Sequence, residues 1–321
     1  MRRRKQLKPK RRKQLKLHSV CLSVIIPLSV LILLISEGYF EKDYVDKLWF
    51  SKQSLSESLH EANYHLGVGK REREKKEFSE DSNGEDKTDY FHEAKKEGWN
   101  LIWQDEFERN ELDENKWNTE YWAAEKNNEL QFYTPNNVRV SEGNLHLVSR
   151  REDYKGRHYT SGAIHTKDKF SFRYGKAEMK AKLPSGQGIF PAFWMMPNID
   201  QTWLPEIDIM EMLGHKPDEI WMVLHWLDEK NKLTSVSTMH KGVDYSQNFH
   251  TYSVEWSPTE VVWYIDDIER FRTSAFVPNV DMYLYVNTAI GGDWPGRPDN
   301  TTIFPQLFEV EYVRVYERGD N

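Results

Sequence analysis

Cysteine is almost missing from this chain of 321 residues: there is one, Cys21, and it sits inside an apolar run near the N-terminus. No intramolecular disulfide can form, so the fold must be held by packing and hydrogen bonding, with a bound metal as the other available staple. Helical periodicity is also scarce, with no convincing run longer than three turns and no internal repeat, which argues against helix bundles and repeat arrays. Basic residues are the minority from Glu97 onward, 23 against 36 acidic for a net of −13. That balance repels a polyanion and excludes nucleic acid as a partner.

The basic residues are concentrated instead at the start. MRRRKQLKPKRRKQLK carries ten Lys or Arg and no acid, and residues 17–36, LHSVCLSVIIPLSVLILLIS, contain no Asp, Glu, Lys or Arg. About 20 apolar residues span a bilayer. Residues 1–16 are therefore expected to be a basic cytoplasmic tail and 17–36 a signal anchor, with a cleaved signal peptide as the alternative. No A-x-A-like site follows, since the next residues are SEGYFEKDY. Either way the remainder is expected to be extracytoplasmic, held at the cell surface by a single pass or secreted. Residues 37–96 hold 26 charged side chains in sixty. Such a segment buries too little apolar surface to offset its ordering entropy and is expected to be a stalk or linker.

Composition changes at Gly98. Eleven of the twelve tryptophans lie beyond it, and the pattern becomes one of short strands. KAEMKAKL alternates, VRVSEGNLHLV predicts a hairpin about Glu142 and Gly143, and VVWYIDDIERF predicts another about Asp266 and Asp267. Strands at this density without βαβ alternation predict an all-β domain over 97–321, a two-sheet antiparallel β-sandwich.

One segment is chemically unusual. PEIDIMEMLGH places Glu206, Asp208 and Glu211 among isoleucines and methionines. On a regular strand Glu206 and Asp208 share a face and Glu211 points away; one extra residue, a bulge at Ile209 or Met210, would bring it back. Like charges on one face repel, and the segment has no compensating cation. Three readings fit: a catalytic carboxylate pair with separated pKa values, a calcium site, or a solvated strand. A carboxylate pair is the equipment of glycoside hydrolysis, and Trp194, Trp203, Trp221, Trp226 and Trp294, near turns or strand ends, could stack on sugar rings. An acidic domain suits a neutral polysaccharide.

The stretches GWNLIWQDEF, NNELQFYT, NVRVSEGNLHL, YTSGAIHTKDKFSFRYGKAEMKAKLPSGQGIFPAFWMMP, EIDIMEMLGH, FHTYSVEWSP, VNTAIGGDWPG and VEYVRVY, in this order from Gly98 to about Arg318, resemble glycoside hydrolase family 16, specifically its laminarinase-like endo-β-1,3-glucanases. The resemblance implies a jelly roll of the concanavalin A-like kind, with a concave substrate cleft, endo action on β-1,3-glucan and a retaining double displacement. It implies that Glu206 is the nucleophile, Glu211 the acid and base, and Asp208 the residue that tunes them. Asn128, Glu129, Trp194, Trp203, His225, Trp226 and Asn287 correspond to substrate-contacting or cleft-lining positions. The chemistry needs no cofactor. Many relatives hold a structural calcium on the convex face, for which Glu106, Gly143 and Glu311 would be the ligands here. A monomer acting on β-glucan is expected.

Two departures bear on substrate. Pro205 stands where many relatives have glycine, and HWLDEKNKLTS replaces a glycine-rich loop after the histidine strand. A mixed-linkage β-1,3-1,4-glucanase, an exopolysaccharide endoglycanase, a transglycosylase and a non-catalytic β-glucan-binding module are therefore the alternatives. The additional residue in EIDIME favours the laminarinase branch.

Overall fold

A computed structural model of the protein describes residues 98–319. The expected basic tail, apolar segment and charged stalk lie outside the described residues. Among the described residues no helix is long and apolar enough to cross a membrane.

Eighteen strands build two sheets, one of eleven strands and one of seven. The two hairpins expected from sequence are present. Val138–Ser141 turns into Asn144–Tyr154 through Glu142 and Gly143 at φ 55° and 71°, and Val261–Ile265 into Ile268–Thr273 through Asp266 and Asp267 at φ 52° and 59°. A two-residue loop with both φ positive matches the right-handed twist of its flanking strands. Pairing is antiparallel throughout the seven-stranded sheet. The other sheet has one parallel pair, Gln131–Tyr133 beside Arg157–Ser161.

The core lies between the sheets. Phe193, Met195, Ile207, Ile209, Met210 and Met212 of the smaller sheet pack with Leu145, Leu147, Met179, Val254, Val313 and Val315 of the larger. Burying each large side chain stabilises the fold by about 1.5–3 kcal/mol. With no disulfide available, this layer is the main source of stability.

A second, smaller apolar cluster decides where a ligand can reach. Ala124, Tyr133, Ala163, Met196, Tyr283 and Tyr285 are buried together with Trp122 and Trp194 packed against them. These side chains belong to the seven-stranded sheet's outer face and to the 118–133 segment that covers it. That part of the face is thus covered, and the cluster does not extend over Glu206–Met212 and Glu219–Leu227.

Candidate active site

Glu206–Met212 runs in the seven-stranded sheet between Ile189–Pro197 and Glu219–Leu227. Asp208 lies opposite Val223 and Glu211 opposite Trp221, so three steps on the acidic strand answer two on its neighbour. The other neighbour shows the same slip: Trp194 is opposite Asp208 and Phe193 opposite Met210, leaving Ile209 unmatched. A one-residue bulge at Ile209–Met210 is therefore present in both pairings, and it returns Glu211 to the face of Glu206 and Asp208. Ile207, Ile209, Met210 and Met212 all enter the core. Two consecutive inward residues are what the bulge adds.

His225 is the register partner of Glu206. Its Nε2 lies 3.4 Å from Asp208 Oδ2 and 4.0 Å from Glu206 Oε1. Burial pushes the imidazole pKa down, so the ring is neutral near neutral pH.

The carboxyls are pushed the other way. Burial first, then the charge of Glu211, raises Glu206 from 4.5 to about 8, while the Lys126 ammonium and a hydrogen bond from Asp208 act against that rise. Asp208 is raised well above its ordinary value by burial and by Glu206, and Glu211 by burial and by Asp208. Three carboxyls this crowded cannot ionise together. Of the three, only Glu206 has both a cation and a donor to offset a negative charge, so it is the first of the three to ionise.

Of the remaining expected contacts, Trp194 lies opposite Asp208 and Trp203 near His225. Trp194 donates through Nε1 to Asn287 Oδ1 at 2.8 Å, and Asn287 Nδ2 donates to Tyr133 Oη at 2.9 Å. Glu129 accepts from Gln131 Nε2 at 2.7 Å, and burial raises its pKa. Asn128 donates through Nδ2 to Asp293 Oδ1 at 2.8 Å. Trp203 is exposed, its ring 6.5 Å from that of His225. Trp226 is the correction. It stacks on Phe276 at 5.4 Å and packs against the main core, because neighbours on a strand point to opposite faces and His225 already takes the cleft face.

The calcium expectation meets a different difficulty. Glu106 is clamped by the Arg314 guanidinium, with Nε–Oε1 and Nη2–Oε2 both 2.8 Å, and Glu311 pairs with Lys180 at 2.9 Å. Gly143 is the second residue of its hairpin turn and offers only backbone. Both side-chain donors are already neutralised, so this set does not fit a divalent cation. Among the described residues, the one group of three close enough to share a cation is Glu206, Asp208 and His225, with ligand atoms within 4.8 Å of one another. Burial and Glu206 raise the Asp208 pKa there, which favours proton handling over metal ligation.

One residue near the site, Lys126, was missed from sequence, while Trp221 and Trp294 were named there only as candidate sugar-stacking rings. Lys126 stands on the turn Lys126–Asn128, where Asn127 and Asn128 have φ of 55° and 58° and the Asn127 carbonyl accepts from Asp293 N at 2.8 Å. Nothing local marks it as facing Glu206. Trp221, opposite Glu211, meets the exposed Trp294 ring at 5.4 Å. Its place one bulge-corrected pair from Glu211 was derivable; its Trp294 contact was not.

The comparisons agree with this geometry. The chain matches the family described as Glycosyl hydrolases family 16 over residues 116–304, and the family described as Beta-glucan synthesis-associated protein SKN1/KRE6/Sbg1 over residues 10–203. It is 36% identical over 246 residues to a beta-glucanase of Rhodothermus marinus, covering 68% of this chain and 85% of that protein. It is 34% identical over 259 residues to glucan endo-1,3-beta-glucosidase A1 of Niallia circulans, covering 68% of this chain but 38% of that protein. Among solved structures it is similar to the laminarinase catalytic domain of Thermotoga maritima MSB8, with a TM-score of 0.65 and 36% identity over 70% of this chain and 100% of that one. With a bulged acidic strand in a two-sheet sandwich, and with the family match over residues 116–304 and a relative aligned over 68% of the chain, the chain belongs to glycosyl hydrolases family 16.

Proposed function

We propose that the protein is an endo-acting glycoside hydrolase that cleaves β-1,3-glucan with retention, Glu206 being the nucleophile and Glu211 the acid and base. The observation that carries this is the bulge, which turns Glu211 onto the face of Glu206. Retention requires two carboxyls about 5–5.5 Å apart that flank the scissile bond, one reaching the anomeric carbon and the other the leaving oxygen. In the first step Glu206 attacks the anomeric carbon as the bond to the leaving glucan oxygen breaks, and Glu211 passes its proton to that oxygen. In the second, Glu211 takes a proton from water, whose oxygen displaces Glu206 and restores both carboxyls. Asp208 donates its hydrogen bond to the Glu206 anion, and neutral His225 stands beside the pair. The part of the face outside the smaller apolar cluster suits attack within a long chain, and Trp194 and Trp203 are the sugar-stacking candidates.

A transglycosylase reading has an observation of its own: the match to the synthesis-associated family reaches residue 203. The charge pattern of residues 1–36 supports an extracytoplasmic domain, membrane-anchored or secreted.

The test is digestion of laminarin, lichenan and an unsubstituted exopolysaccharide, with and without a sugar acceptor, by the parent, Glu206→Gln and Glu211→Gln. The β-anomer is expected to form first from laminarin, and both variants are expected to lose hydrolysis. Initial α-anomer, or wild-type rates in either variant, would overturn the assignment. Activity on lichenan alone would transfer it to mixed-linkage glucan, and longer products in the presence of acceptor would favour transglycosylation.

A further inference from the structure

Outside the catalytic cleft, a cavity of about 480 Å³ is lined by Arg151, Glu152, Asp153, His158, Tyr159 and Arg297. Its two walls are the hairpin Asn144–Tyr154 with Arg157–Ser161, and the loop that follows Met282–Ile290. The same two pieces hold the cleft's covering segment. Arg157 of the hairpin donates to the Glu129 carbonyl at 3.3 Å and pairs with Glu125 at 3.7 Å. Asp293, on the loop, binds Asn128 and the Asn127 carbonyl. The cavity and the covering segment at Asn128 and Glu129 are thus held by the same two pieces.

The charges inside it are not equally available. Asp153 is paired with His158 at 2.6 Å, and Glu152 accepts the Thr160 hydroxyl. The Arg151 and Arg297 guanidinium groups, one from each wall, have no hydrogen bond, ion pair or aromatic contact among the described residues. Tyr159 contributes a ring, backed by Phe304 at 5.4 Å. A domain with a net charge of −13 from Glu97 onward thus presents two uncommitted guanidinium groups in one concavity beside an aromatic ring. A guanidinium fork matches the planar oxygens of a carboxylate or sulfate, and a tyrosine ring offers an apolar face to a sugar.

We propose that this cavity is an accessory subsite for an anionic substituent, carboxylate or sulfate, carried by the polysaccharide on which the enzyme acts. The inference rests on the glycan-hydrolase reading of the cleft and extends it to the substrate class: an acid-substituted glucan is held here by its charge while an unsubstituted stretch is cleaved. The subsite acts on affinity for long chains and takes no part in bond breaking.

Affinity electrophoresis tests it with the full chain carrying Glu206→Gln, so that the embedded polymer is not digested. Gels contain carboxymethylated β-glucan, sulfated β-glucan or unmodified laminarin. Tighter retention is expected from at least one charged polymer than from laminarin, and the carboxymethyl and sulfate arms identify the preferred group. Adding Arg151→Gln with Arg297→Gln is expected to weaken that retention at least tenfold and to leave laminarin binding unchanged. Half-molar salt is expected to remove the difference between the polymers. Equal retention of all three by the parent, or undiminished charged-polymer retention in the double variant, would sink the proposal. Both arginines are exposed, so unfolding temperature should not change. Laminarin hydrolysis by the double variant with Glu206 intact reports separately on the cleft: loss of the accessory site leaves it unaltered, and a failed hydrolase reading shows as no cleavage even by the parent.

Discussion

Replacing Glu211 with glutamine removes one proton and little else, and its effect follows from the burial of that carboxyl. An ordinary glutamate near 4.3 is protonated about 0.2% of the time at pH 7. Burial first, then Asp208 beside it, raises Glu211 well above that range, which favours the protonated form that the leaving oxygen needs. Glu211→Gln forfeits it. On laminarin, whose leaving group is a poor alcohol, kcat/KM is expected to fall by about 10² to 10⁴-fold, equivalent to about 3–5 kcal/mol of barrier. On an aryl β-glucoside with a dinitrophenol leaving group, which departs without a proton, glycosyl-enzyme formation should fall less than about tenfold. Deglycosylation should be slow and restored by azide, giving the β-azide. The sign of the pH dependence follows as well. The parent loses activity as pH rises through the raised Glu211 pKa, and the variant should show no such limb on the aryl substrate. Unfolding temperature should hold or rise at neutral pH: a carboxyl with a raised folded-state pKa contributes stability below its unfolded value and loses it as pH climbs. Equal loss on laminarin and the aryl substrate, or an unchanged basic limb, would refute this role for Glu211.

Other expectations use different handles. Deleting Met210 removes the bulge and should turn Glu211 into the core; hydrolysis of laminarin is expected to vanish while circular dichroism reports whether the sheet survives, and full activity in a folded deletion would contradict the register argument. Lys126→Met removes the cation that lowers the Glu206 pKa, so the acidic limb of the pH–rate profile should move to higher pH, by about a few tenths of a unit for an exposed charge; a shift to lower pH would be the wrong sign. Trp226→Ala should cost up to about 3 kcal/mol of stability in chemical denaturation with KM for laminarin unchanged, whereas Trp203→Ala should raise KM with stability unchanged. Chelation with EDTA should leave the unfolding temperature where it was, because Glu106 and Glu311 are neutralised by Arg314 and Lys180; a drop reversed by calcium would show backbone carbonyls holding the ion.

The acidic strand was unusually legible. Side-chain alternation has a period of two, so the five-residue step from Glu206 to Glu211 demanded either a bulge or a misplaced acid, and Ile209–Met210 carries the bulge. The hairpins were equally legible, because Glu142-Gly143 and Asp266-Asp267 are local turn chemistry. Trp226 shows the limit of matching positions by likeness: strand parity alone would have sent it inward once His225 was placed outward. Glu106 and Glu311 show another limit, since Arg314 and Lys180 reach them only through sheet pairing across distant segments.

The amino-acid sequence by itself determined the sandwich class, the three acids and the need for a bulge, because these depend on strand periodicity and nearest-neighbour turn geometry. Only the tertiary structure decided which carboxyl ionises first and which part of the sheet face is covered. Lys126 meets Glu206 from a covering segment some eighty residues upstream, and the apolar cluster around Tyr133 and Tyr285 covers part of the face. Electrostatics and burial depend on which distant segments meet, and strand patterns do not encode those meetings.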